Sequence, residues 1–116
     1  MLQTIVELPE FIKKSQVLFN EVEAKELISY LAEHPVSGDL MQGTGGVRKL
    51  RWARQGRGKS GGARIIYYFH SERIPLYLLT AFGKGEKANL NAAERAELAQ
   101  LVQVLKQAVT PEKGAK

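Results

Sequence analysis

The chain has 116 residues, is 44% hydrophobic and 25% charged, and contains no cysteine. That composition suits one globular domain over residues 1–116 with a single modest core, and it excludes disulfide frameworks, thiolate nucleophiles and cysteine metal sites. No apolar run approaches the ~20 residues of a membrane span, and Met1–Glu7 lacks the basic start and long apolar stretch of a secretion signal, so a cytoplasmic protein with no membrane partner is expected.

The net charge of +5 is distributed unevenly. Residues 1–43 hold a net −4, residues 44–73 a net +7 and residues 74–116 a net +2. One 30-residue stretch thus holds a larger surplus than the whole chain, which is the electrostatic footprint of a polyanionic partner. A solvated basic hairpin without a ligand is the plainer alternative.

In chain order, Gln3–Leu8 is β-branched at its centre and reads as a short strand. Pro9 suits the first turn of a helix that runs toward Phe19. A second helix fits Glu21–His34, because Ala24, Leu27, Ile28 and Leu31 fall at i, i+3, i+4 and i+7. Pro35 stops it, and Ser37-Gly38-Asp39 supplies a turn. Gln42–Gly46 reads as a glycine-rich loop. Val47–Arg54 then alternates, with Leu50 and Trp52 on one face and Lys49 and Arg51 on the other. Arg64–His70 and Leu76–Phe82 read as further strands, joined by the loop Gln55–Ala63 and the tight turn Ser71–Pro75. Connections this short require antiparallel pairing. A last helix starts at Asn91, where Asn91 and Glu94 match a capping box. Leu98, Leu101, Val102, Leu105 and Val109 form its apolar stripe, and the tail from Pro111 is expected to fray. The predicted order is β-α-α-β-β-β-α, an α+β fold whose antiparallel sheet carries the helices packed on one face.

Few catalytic sets survive inspection. The only histidines are His34, at a helix end where a cation suits the dipole, and His70, at a strand end; a metal site would need more ligands, so no metal or cofactor is expected. Gly56-Arg57-Gly58-Lys59-Ser60 resembles the end of a phosphate-binding P-loop, but the required upstream glycine falls on Ala53. Gly83–Ala88 echoes a dinucleotide fingerprint with no parallel βαβ unit around it. What remains is a set of cations on adjacent strands: Lys49 and Arg51, Arg64, and Lys84. Such a set can bind phosphate. It can also cleave RNA without a metal, since the ribose 2′-hydroxyl is a built-in nucleophile and the protein need only move protons and stabilise the phosphorane. Crowding among cations disfavours their charged forms, which equips a lysine such as Lys49 to act as base; arginine stays charged and suits the transition state.

Three segments, Gln42–Arg51, Gly61–Phe69 and Tyr77–Lys87, resemble in their order the HigB branch of the RelE/ParE toxin superfamily. The shared pattern is a basic alternating strand, a Gly-Gly-x-Arg-Ile-Ile-Tyr-Tyr start to the next, and a strand ending in Gly-Lys. With the flanking helices the similarity covers nearly the whole chain. It implies a small RelE-like fold and the toxin of a type II toxin–antitoxin system, a ribosome-dependent endoribonuclease that cuts mRNA. The implied partners are the ribosome with its mRNA and a cognate antitoxin carrying a helix-turn-helix domain, with operator DNA reached only through that antitoxin. Lys49 would be the general base, Arg51 its basic companion, Arg64 the phosphate-stabilising arginine, and Lys84 the group that neutralises or protonates the leaving oxygen. Arg48, Arg54, Arg57, Lys59 and Lys87 would contact RNA or the ribosome. The tyrosine that some members place after the last basic group has no counterpart in Ala88-Asn89-Leu90-Asn91, so either Lys and Arg alone serve or an aromatic such as Tyr67, Tyr68 or Phe82 takes over stacking; Tyr67 and Tyr68 point to opposite faces, so one of them is core, and Trp52, in phase with Leu50, is read as core. Two other functions remain open: a ParE-like inhibitor of DNA gyrase, and an RNA-binding module without chemistry.

Overall fold

A computed structural model describes residues 2–54, 58–83, 85–86 and 89–109, with the backbone alone for 53, 54, 58–61, 108 and 109. Strand β1 (Ile5–Glu7) leads into α1 (Pro9–Leu18) and α2 (Glu21–Glu33). Strands β2 (Asp39–Leu40), β3 (Val47–Arg54), β4 (Gly58–Tyr68) and β5 (Leu76–Gly83) follow, and α3 (Ala92–Val109) closes the described chain.

Local chemistry sets the helix starts. Pro9 occupies the first turn of α1, where a missing N–H costs nothing. Asn20 caps α2 by accepting from the Glu23 backbone N–H at 2.8 Å, while Glu23 Oε1 accepts from the Asn20 N–H at 3.0 Å. The expected capping box at α3 is present in the same form, with Asn91 Oδ1 accepting from the Glu94 N–H at 2.8 Å and Glu94 Oε1 from the Asn91 N–H at 2.9 Å.

The sheet runs in the order β1-β5-β4-β3-β2. The meander from β2 to β5 is antiparallel, as the short connections require. β1 differs. It lies parallel to β5, with Ile5 opposite Leu76 and Glu7 opposite Leu78, and makes the sheet mixed. β4 begins at Gly58, six residues before the predicted start at Arg64, because the hairpin ladder continues past a register shift at Trp52/Arg54 to pair Arg54 with Gly58. β2 is a two-residue strand that begins at Asp39, the last residue of the segment read as a turn.

Residues of opposite parity face opposite sides of the sheet. Ala63, Ile65, Tyr67, Leu76 and Leu78 pack with Phe11 of α1 and with Leu27 and Leu31 of α2. Leu50 and Trp52 lie against this same cluster, so the core reading of Trp52 holds. Val47, Ile66, Tyr68, Tyr77, Leu79 and Phe82 form the second cluster with Val102 and Leu105. Helices α1 and α2 therefore share one face, as expected of the helices, while α3 covers the other. Between the pairs Ile66–Thr80 and Tyr67–Leu78 the register slips by one at Leu79. This bulge lets Leu78 and Ala81, three residues apart, join one cluster.

A cationic cleft on the sheet

The alternation of β3 places Lys49 and Arg51 on the α3 face, with Leu50 and Trp52 behind them. Register extends that face sideways: Lys49 is opposite Asp39 of β2 and Ile66 of β4, and Arg51 is opposite Arg64. An open cleft of about 580 Å³ results, lined by Ser37, Asp39, Lys49, Leu50, Arg51, Arg64 and Asn89. Three of the four residues assigned a catalytic role, Lys49, Arg51 and Arg64, line one cleft. The fourth, Lys84, lies outside the described residues, as do Arg57, Lys87 and the tail from residue 110. Arg54 and Lys59 sit on β3 and β4 by their backbones.

Arg64 is the unusual residue of this cleft. It is only 8% exposed, and its Nη1 is buried with no hydrogen-bond partner among the described residues. A buried guanidinium edge without an acceptor is costly, and an anion entering the cleft would relieve that cost. Lys49 is anchored across the cleft, with Nζ donating to Asn89 Oδ1 at 2.8 Å. Arg51 is exposed at the rim.

Two residues assigned to RNA contact are used otherwise. Tyr67 is fully buried; its hydroxyl donates to the Pro35 carbonyl at 2.9 Å and accepts from the Gly38 N–H at 2.8 Å. A ring enclosed in the core cannot stack on a base, so the stacking role is withdrawn from Tyr67. Tyr68 and Phe82 are buried too and offer no replacement. Arg48 points to the α1/α2 side, where Nη1 donates to the Gly38 carbonyl at 2.7 Å and the Val36 carbonyl at 3.1 Å. Arg48 and Tyr67 together hold the segment that carries Ser37 and Asp39 to the cleft wall. Gly38 lies so close to Tyr67 that an added Cβ would stand 2.9 Å from the ring.

Ser37, Asp39 and Asn89 are the site residues that sequence reasoning missed. The signal available for Asn89 was its place in the segment where some family members carry a tyrosine. The histidines stand apart: His34 ends α2 beside Tyr30 and Glu33, and exposed His70 stacks on Tyr68. Among the described residues no group of three or more His, Cys, Asp or Glu could hold a metal ion, and no helix is long and apolar enough to cross a membrane. A second groove of about 340 Å³, between α1, β5 and α3, is rimmed by Glu10, Glu86, Glu94 and Glu97 and is electrostatically unsuited to phosphate.

Fold and cleft define a small α+β protein that presents a part-buried cation array from the middle strands of its sheet. The family described as the RelE toxin of the RelE/RelB toxin–antitoxin system matches residues 12–113. The chain belongs to this toxin family. A solved structure of an Escherichia coli RelE toxin mutant in the free state shares the fold, with a TM-score of 0.57 and 18% identity over 88% of this chain and 98% of that one.

Proposed function

We propose that this protein is the toxin of a type II toxin–antitoxin pair and that it cleaves mRNA on the translating ribosome, in the cytoplasm. The observation that carries the reading is Arg64: a buried, incompletely partnered guanidinium beside Lys49 and Arg51 is built to receive a phosphodiester. Lys49, acting as base, takes the proton of the ribose 2′-hydroxyl. The 2′-oxygen attacks phosphorus, Arg64 and Arg51 stabilise the phosphorane, and the bond to the 5′-oxygen breaks. The products are a 2′,3′-cyclic phosphate and a 5′-hydroxyl, the latter protonated by Lys84 in the role that the family resemblance gives it. RNA supplies its own nucleophile, so this scheme uses no metal or cofactor.

Among the described residues the cleft lining has no histidine and one carboxylate, Asp39. With so little proton-transfer machinery, the rate depends on holding the 2′-oxygen, phosphorus and leaving oxygen in line, and the ribosome is the scaffold that does so. Arg54, Arg57, Lys59 and Lys87 then serve docking on ribosomal RNA. A toxin of this kind needs a neutralising antitoxin, a helix-turn-helix protein that carries the complex to operator DNA.

The test is to map mRNA ends in a translating extract given purified protein, beside the same RNA without ribosomes. Cleavage confined to the translating sample is the expected result. Efficient cutting of naked RNA overturns ribosome dependence. Intact mRNA together with loss of gyrase supercoiling overturns the ribonuclease reading in favour of a gyrase inhibitor.

A further inference from the structure

We propose that Asn89 is a positioning residue of the cleft, which aims Lys49 at the ribose-phosphate by accepting a hydrogen bond from its side-chain nitrogen. This inference rests on the ribonuclease reading above. Nζ of Lys49 and Oδ1 of Asn89 are 2.8 Å apart although the residues are 40 positions apart in the chain. They reach the cleft from opposite walls, one from the middle of β3 and the other from the segment entering α3.

The segment that follows Asn89 is anchored. Leu90, the next residue, is buried in the cluster beneath α3, and Asn91 closes the reciprocal cap with Glu94. Asn89 is thus restrained from its C-terminal side, one residue from a core anchor and two from a helix cap. A lysine has four side-chain torsions and loses entropy when any catalytic geometry is imposed on it. A contact that restrains the amine before substrate arrives removes part of that cost from the reaction.

The identity of the acceptor matters as much as its position. Asp39 is directly opposite Lys49 in the β2–β3 ladder and lines the same cleft, yet the hydrogen bond goes to the neutral amide. A carboxylate at 2.8 Å would favour the ammonium form and hold the proton on the nitrogen that must accept one. An amide oxygen orients the amine without supplying that opposing charge. An uncharged amine that spends one N–H on Asn89 keeps its lone pair for the 2′-hydroxyl.

The test measures single-turnover cleavage on programmed ribosomes, at saturating protein, for wild type, Asn89→Ala, Asn89→Asp, Lys49→Ala and the double variant Lys49→Ala/Asn89→Ala. Asn89→Ala is expected to slow the bound reaction roughly tenfold, the rate equivalent of one hydrogen bond of about 1.4 kcal/mol. Asn89→Asp is expected to move the rising limb of the pH–rate profile to higher pH. Asp39, Arg51 and Arg64, the other charged groups that line the cleft among the described residues, and Lys84 are unchanged in that variant, so the move reports the new carboxylate. The double variant is expected to be no slower than Lys49→Ala, since Asn89 acts through that amine.

A wild-type rate for Asn89→Ala with an unmoved Asn89→Asp profile overturns the inference. So does a double variant slowed by the full product of the two single effects. Should Asn89→Ala fail to fold, judged by circular dichroism, the Asn89→Asp profile decides alone. A wild-type protein that leaves mRNA intact on ribosomes overturns the ribonuclease reading and this inference with it; a cleaving wild type with an indifferent Asn89 overturns the inference only.

Discussion

Arg51 and Arg64 stand directly opposite each other in the β3–β4 ladder. Like charges in that relation destabilise a sheet, and here one of the two is almost completely buried. A sequence selected for stability alone would place a polar neutral residue at one of these positions. Two arginines at this spot fit the phosphodiester site of the proposed function.

Arg51→Gln should therefore stabilise the fold by roughly 0.5–1 kcal/mol while lowering cleavage. Urea unfolding and the ribosomal cleavage assay measure the two effects separately. A less stable Arg51→Gln protein would mean that the two guanidinium groups are compensated by neighbours and do not repel.

The buried phenols of Tyr67 and Tyr68 should respond in opposite ways to loss of the hydroxyl. Tyr67 serves two backbone groups, Pro35 and Gly38. Tyr67→Phe strands them and should cost about 1–3 kcal/mol. The Tyr68 hydroxyl is buried with no partner among the described residues, so Tyr68→Phe should be neutral or stabilising by up to about 1 kcal/mol. Equal losses in thermal unfolding would show that Tyr68 has a partner after all.

Alkaline stability follows from the same two rings. Burial, the main cause, pushes both phenols above their ordinary value of 10.0, and the neighbouring Tyr77 adds to the effect at Tyr68. A group whose proton is held more tightly in the folded state stabilises the fold fully below its unfolded value. That stabilisation is lost as pH rises above 10 and through the folded values. Urea midpoints should be flat on the neutral side of 10 and fall beyond it, less steeply in Tyr67→Phe. A midpoint independent of pH across that range would contradict the assignment.

Gly46 enters β3 at φ +126, and a Cβ there would lie 2.9 Å from the Tyr68 ring. Gly46→Ala should lower stability by about 1–3 kcal/mol, whereas Gly85→Ala, with open space around it, should change little. Chemical unfolding of the two proteins compares them directly.

What the sequence disclosed is what local pattern controls. The alternation Lys49-Leu50-Arg51-Trp52 assigned both faces of β3 correctly, and the α2 periodicity identified Leu27 and Leu31, both fully buried. Long-range pairing has no such signature. Nothing local says that Ile5–Glu7 will lie parallel to Leu76–Leu78, or that α3 will take the opposite face from α1 and α2. The glycines within Gly58–Gly62 disguised the start of β4, since they are poor strand formers, yet the ladder carries β4 back from Ala63 opposite Trp52 to Gly58 opposite Arg54. Arg48 and Tyr67 show the same limit at the site. Arg48 looked like a surface contact, and Tyr67 was open between core and stacking, until the turn at Val36–Gly38 folded against both. Asn89 was hidden because its partner lies 40 residues away.

The last prediction separates docking from chemistry within the cations. Arg64→Ala should nearly abolish cleavage while leaving ribosome binding largely intact, because one phosphate contact among many carries only part of a salt-dependent affinity. Its loss is felt at the phosphorane, where a fixed cation in a water-poor site can be worth ~3 kcal/mol or more, about a hundredfold in rate. Lys49→Ala and Lys84→Ala should likewise lower the single-turnover rate more than binding. Arg57→Ala and Lys59→Ala should do the reverse, with weaker ribosome binding and near-normal cleavage once bound. Each docking cation removed also takes one counterion-release contribution with it, so the dependence of binding on salt should become shallower by about one unit of slope. Arg64 is buried within the sheet, so its guanidinium is held before RNA arrives and little reorganisation is left for the reaction itself. Equal losses of binding in all five variants, with an unchanged rate once bound, would make the whole cluster a docking surface and move the chemistry elsewhere.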